Sequence, residues 1–225
     1  SKDKLVALAA KMNNAIVISG DLSNRDFPNE LYNEIKNKNI DVDIVINNAG
    51  FGFSGLFLNS SMENYSEMID LNICSLVNLT HLFLNDMVKN KSGGIINVSS
   101  LASFQPMPYF TVYAATKAFV TSFTIGLYEE YRKQNIRVLG VCPGYTKTNF
   151  NKRADMPDNN HATGYIMSAE TVAKQSLKAY ANNKYILING ITNKITKGIM
   201  KILPQTISLK LTKMILKKGI DKGSW

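Results

Sequence analysis

Residues 42–50 read VDIVINNAG, a run that is apolar but for Asp43 and is closed by two asparagines, an alanine and a glycine. A strand with one wet face alternates polar and apolar residues; this one does not, so it is read as buried on both faces, as in a parallel sheet. Working outward, the same build recurs in AIVISG (15–20), GGIINVSS (93–100) and IRVLGVCPG (136–144). The stretches between follow the helical period instead. Leu5, Leu8 and Ala9 suggest a short first helix, and 27–38 and 110–134 read as two others. Residues 62–90 read as one long helix, with Met68, Ile69, Ile73, Leu76, Leu79, Leu82 and Phe83 on its apolar face. Strands separated by helices define an α/β fold, a doubly wound parallel sheet of the Rossmann-like kind in a single domain.

Sheets of this kind bind ligands at the carboxyl ends of their strands. Those ends carry Asp21, then Asn47-Asn48-Ala49-Gly50, then Ser99-Ser100, then Pro143-Gly144. Each set alone reads as turn chemistry. Four in sequence are expected to line one crevice.

Composition narrows the class. The chain has 225 residues, 45% hydrophobic and 19% charged, which excludes general disorder, and it contains no repeat or low-complexity tract. Cys74 and Cys142 lie in apolar surroundings without CxxC spacing, so both are expected to be buried free thiols, which suits a cytoplasmic protein. No stretch reads as a signal peptide or a membrane span. The net charge of +9 is concentrated in residues 194–225, where eight lysines face one acid, Asp221. No aromatic residues interleave with those lysines, so nucleic acid is a poor match.

VYAATKAF (112–119) places Tyr113 and Lys117 at i and i+4, on one helix face. An ammonium beside a phenol stabilises the phenolate and should lower the tyrosine's pKa toward working pH, where it can exchange a proton with an alcohol or carbonyl oxygen. Ser100 lies 13 positions earlier, at a strand end, where its hydroxyl could bond the same oxygen. Asn72 falls inside the long helix, where asparagine is a poor helix former, and is read either as a kink that holds a water or as an exposed residue.

With these residues in order, the chain resembles a short-chain dehydrogenase/reductase of the classical type. The resemblance rests on Asp21-Leu22, the 47–50 motif, Asn72, Ser100, Tyr113/Lys117 and Pro143-Gly144, over roughly residues 1 to 150. It implies an NAD(P)(H)-dependent alcohol dehydrogenase or carbonyl reductase acting on a moderately apolar substrate. Tyr113 would be the general acid/base, Ser100 would orient the substrate oxygen, and Asn72 would hold a relay water. Lys117 would tune the tyrosine and hold the nicotinamide ribose. Asp21 and Leu22 would flank the adenine, and Asn48, Ala49 and Gly50 the adenosine ribose. Pro143, Gly144, Thr146 and Thr148 would meet the carboxamide and diphosphate. Homodimers or homotetramers are implied as well. His81 and His161 are too far apart to suggest a metal site.

The front of the chain departs from the family. No glycine precedes Gly20, whereas the family opens with a strand, a glycine-rich turn and a helix that cradle the pyrophosphate. The sequence is therefore expected to be N-terminally truncated by one βαβ unit, and inactive without it. Ser1 and Lys2 lean toward NADP over NAD, since hydroxyl and ammonium groups suit a 2′-phosphate. Residues 149–168 should form the segment covering the substrate, and Met107, Pro108, Tyr109 and Phe110 one wall of an apolar pocket.

Residues 1–193 are thus read as the dehydrogenase domain and 194–225 as a lysine-rich amphipathic extension. In the latter, Ile207, Leu211, Met214 and Ile215 recur beside Lys210, Lys213, Lys217 and Lys218. This stripe is expected to close the protein's own core or an oligomer contact, with peripheral membrane contact through 205–225 as the alternative. The competing function is a dinucleotide sensor or scaffold without turnover.

Overall fold

The computed structural model describes residues 2–148, 150 and 166–220. Four parallel strands form the main sheet: β1 (Ile44–Asn47), β2 (Gly93–Val98), β3 (Ile136–Cys142) and β6 (Ile186–Ile188), in the order β1-β2-β3-β6. A two-stranded parallel pair, β4 (Thr146–Lys147) with β5 (Met167–Ser168), stands beyond the carboxyl end of β3. The helices are α1 (Lys2–Ala9), α2 (Phe27–Asn37), α3 (Met62–Ile69), α4 (Leu76–Asn90), α5 (Thr111–Tyr131), α6 (Ala169–Ala181), α7 (Ile191–Ile202) and α8 (Gln205–Ile220).

Register explains why the strands are apolar throughout. Val45, Ile95 and Val138 are cross-strand partners and point one way, into a core with Leu79, Phe83, Leu84 and Met87 of α4 and Leu127 of α5. Their neighbours Ile46, Ile96 and Leu139 point the other way, where Ile96 and Leu139 pack with Ala179 of α6. Burying these rows is the main stabilising term of the fold. At the third level the rows become polar. Asn47 Nδ2 donates to Thr80 Oγ1 (3.0 Å) and to Asn97 Oδ1 (2.8 Å), and Asn97 Nδ2 donates to Thr124 Oγ1 (2.9 Å). This fully buried ladder ties α4 and α5 to the sheet just below the strand ends, and fixes where those helices present their side chains.

Four expectations need correction. AIVISG forms no strand: residues 15–20 pair with no neighbour, and Ile16 is exposed. A strand exists only through its ladder, and among the described residues β1 is the edge of the sheet, bonded to β2 alone. For the same reason β1 is covered on one face only: Val45 is buried, whereas Ile46 is 55% exposed. The long helix is interrupted by a π-helical segment, Asp70–Ser75, between α3 and α4, and Cys74 on it is only half-buried.

Candidate active site

The chemistry gathers where α5 passes the carboxyl ends of β1, β2 and β3. Ser100, just past β2, caps a short 3₁₀ turn (Leu101–Phe104), its Oγ accepting from Ala102 N at 3.1 Å. The hydroxyl also lies close enough to the Tyr113 phenol to favour its ionised form. Lys117, one turn further along α5, is buried to 5% exposure, and its Nζ donates to Val98 O at 2.9 Å while lying 5.9 Å from the centre of the Tyr113 ring. Ser99 holds that turn of helix in place by donating to Lys117 O (2.8 Å) and bonding Thr121 Oγ1 (2.7 Å).

Asn72 is fully buried, which removes the exposed reading. Its Oδ1 accepts from Phe51 N (3.1 Å), and its Nδ2 donates to Phe51 O (2.9 Å) and Thr116 Oγ1 (3.0 Å). The side chain therefore locks the loop after β1 to α5, and both of its amide hydrogens are committed to protein.

Electrostatics reverse one expectation. Burial pushes the Tyr113 phenol up to about 12, with the Ser100 hydroxyl acting weakly the other way. Burial likewise pulls the Lys117 ammonium down to about 8, with Cys142 acting weakly the other way. For the phenol, desolvation outweighs the neighbouring ammonium, whose charged form burial disfavours as well.

A cleft of about 800 Å³ opens over this set. Asn48, Gly50, Ser100, Tyr113 and Lys117 line it, as do Pro143, Gly144, Thr146 and Thr148. Three of the predicted cofactor residues are not brought to it. Asp21 accepts from Ser23 N (2.9 Å) and Ser23 Oγ (2.7 Å), closing its own turn. Leu22 packs against the hydrophobic core, and Ala49 is exposed outside the lining. Met107 and Phe110 do form part of the wall.

Sequence reasoning missed two neighbours of the tyrosine. Phe150 lies with its ring centre 5.4 Å from that of Tyr113, and a Cβ on Gly52 would come within 2.9 Å of the Tyr113 ring. Nothing in the local sequence marks either one. His161, Ser1 and most of the 149–168 segment lie outside the described residues. Among the described residues, no three His, Cys, Asp or Glu side chains are grouped to hold a metal ion.

A parallel sheet wound with helices, with a serine, a tyrosine and a lysine at the strand ends, defines a Rossmann-type oxidoreductase architecture. The short chain dehydrogenase family model matches residues 1–159, and the chain belongs to that family. It is 31% identical over 220 residues to the very-long-chain 3-oxoacyl-CoA reductase of Homo sapiens, covering 94% of this chain and 68% of that protein. It is 34% identical over 149 residues to hydroxysteroid dehydrogenase-like protein 1 of Gallus gallus, covering 64% of this chain but 45% of that one. Among solved structures, a short-chain dehydrogenase from Sphingobium yanoikuyae in complex with NADPH superposes with a TM-score of 0.76 at 25% identity, covering 91% of this chain and 84% of that one.

Proposed function

We propose that the protein interconverts a ketone and a secondary alcohol on a moderately apolar substrate, using a nicotinamide cofactor and Tyr113 as general acid/base. The observation that carries this reading is that Ser100, Tyr113 and Lys117 line one cleft at the strand ends, with the Lys117 ammonium 5.9 Å from the centre of the Tyr113 ring. A phenol with its pKa up at about 12 is protonated at neutral pH, which is the form a proton donor to a carbonyl oxygen must hold. Ser100 would hold that oxygen in line with the phenol. Asn72, by locking the loop after β1 to α5, would keep Tyr113 and Lys117 in register with it.

The donor set fits a dinucleotide. Lys117 Nζ makes one hydrogen bond among the described residues, to Val98 O, which leaves N–H groups for ribose hydroxyls on the cleft side. Asn48, Gly50, Pro143, Gly144, Thr146 and Thr148 would border the rest, while Asp21, Leu22 and Ala49 are assigned to the adenosine side by family resemblance alone. The bound cofactor would supply or accept the hydride. NADP is favoured over NAD by Lys2 and by the relative in complex with NADPH.

Met107, Phe110, Tyr145, Phe150 and Leu177 give the cleft apolar walls, and two relatives are named for 3-oxoacyl-CoA and hydroxysteroid substrates. A lipid-like ketone is therefore the substrate class proposed. Exposed Phe119 and Ile125 on α5 support a homodimer or homotetramer, and the free thiols of Cys74 and Cys142 support a reducing, cytoplasmic setting.

The test is Tyr113→Phe in the full-length protein, assayed on a panel of long-chain and cyclic ketones. Turnover should fall by about 10²–10⁴-fold with dinucleotide affinity nearly unchanged. A Phe variant that still turns over would remove Tyr113 as the proton donor. Wild-type protein that binds dinucleotide yet reduces none of the panel would favour the sensor or scaffold reading.

A further inference from the structure

Helices α7 and α8 turn a row of large apolar residues away from the fold. On α7, Ile191, Ile195, Ile199 and Ile202 recur along one face and are 52–86% exposed. The opposite face carries buried Asn193 and sends Lys197 over the Phe104 ring at 4.6 Å. On α8 the residues buried against the protein are Ser208 and Thr212, one turn apart. Thr212 Oγ1 accepts from Gln105 Nε2 at 3.3 Å, and the Ser208 hydroxyl meets Met200 Sδ of α7 at 3.3 Å. Ile207, Met214 and Ile215 of α8 are left exposed. Of the stripe expected to close the core, only Leu211 is half-buried; Ser208 and Thr212 make the buried contact, while Ile207, Met214 and Ile215 face out. Contiguous exposed apolar residues of this size mark a contact surface.

Charge selects the occupant. From Ile191 to Ile220 the sequence holds seven lysines and neither aspartate nor glutamate. By helical spacing Lys194 and Lys201 run along one edge of the isoleucine face, and Lys210, Lys213 and Lys217 form a row on α8. A second copy docked face to face would press lysine rows together with no acid to offset them. An anionic bilayer satisfies both halves of the pattern, its headgroups meeting ammonium groups and its acyl boundary meeting isoleucines. No helix among the described residues is long and apolar enough to cross a membrane, so the contact lies on the surface.

We infer that α7 and α8 dock the protein on an anionic lipid bilayer. Leu216 of α8 lines the catalytic cleft, so the helix that meets the lipid also walls the site.

The experiment is co-sedimentation of the full chain with vesicles of phosphatidylcholine alone or with about 30% phosphatidylserine. Three proteins are compared: wild type, Ile195→Ser/Ile199→Ser, and Lys194→Gln/Lys201→Gln/Lys210→Gln/Lys213→Gln. All these positions are exposed, and matching circular dichroism and melting curves would show that folding is kept. Wild type should bind the anionic vesicles and not the neutral ones. The lysine variant should bind about 100-fold or more weakly, and the isoleucine variant should also lose binding. Absence of binding, equal binding to neutral vesicles, or binding indifferent to the isoleucines would overturn the dock. So would an isoleucine variant that converts a dimer to a monomer while wild type ignores vesicles, because the face would then belong to a second copy. Vesicle binding is read without turnover, and the substituted residues lie outside the Ser100, Tyr113 and Lys117 set, so this result is independent of the proposed activity.

Discussion

Gly50 shows how a single hydrogen atom decides whether the site can assemble. A Cβ at this position would stand 2.8 Å from Asn72 Oδ1 and 3.3 Å from Lys117 Nζ. The backbone after β1 must pass there for Asn72 to hold Phe51 at both ends, so any side chain would push apart the asparagine and the lysine. Gly50→Ala should cost about 1–3 kcal/mol and weaken dinucleotide binding more than it alters ketone affinity. Urea unfolding and a cofactor titration check this, and an unshifted midpoint would mean that Asn72 moves aside at little expense. The sequence shows Gly50 as part of a turn. Only the structure shows what the missing Cβ makes room for, because Asn72 and Lys117 are 22 and 67 positions away.

At the scale of elements, the π-helical segment Asp70–Ser75 does what a regular helix would not. It places Asn72 so that three hydrogen bonds reach the β1 loop and α5 together. Asn72→Ala would remove the three buried hydrogen bonds that tie Phe51 and Thr116 to this turn, and stability should drop by about 2–3 kcal/mol. Asn72→Asp should not rescue it, since a carboxylate cannot donate to Phe51 O. Thermal melts of both variants decide the matter: full stability in either would show that solvent replaces the amide. The asparagine was visible in the sequence as a misfit in a helical pattern, which is the usual mark of a functional or strained position. Which backbone it bonds was not visible, because helical periodicity carries no information about contacts between elements.

For the molecule as a whole, Tyr113 and Lys117 on α5 predict how stability follows pH. Lys117 has its folded pKa lowered to about 8 from 10.5, so above about pH 8 the folded state binds fewer protons than the unfolded state. Stability should therefore rise with pH between about 8 and 10.5, by up to about 3 kcal/mol as an order of magnitude. Tyr113 is raised to about 12 from 10.0, so from about pH 10 upward the unfolded state loses its proton first, and stability should fall. The expected profile peaks near pH 10, and Lys117→Met should flatten the rising limb. Denaturant midpoints across this range test it. A flat wild-type profile would mean that Lys117 stays hydrated in solution.

The sequence by itself determined the class of fold, the α/β alternation and the residues most worth testing. These are local properties: period, turn chemistry, and the i to i+4 spacing of Tyr113 and Lys117. It overestimated AIVISG, since an apolar run cannot supply the neighbouring strand it needs. It left open what covers the stripe of the terminal helix, since amphipathicity names a face without saying what lies against it. The tertiary structure alone decided that Phe150 and Gly52 flank the tyrosine, that Asp21 caps a turn outside the cleft, and that desolvation outweighs the lysine in setting the phenol's charge. Each of these depends on distance and burial between residues far apart in the chain, which no local pattern encodes.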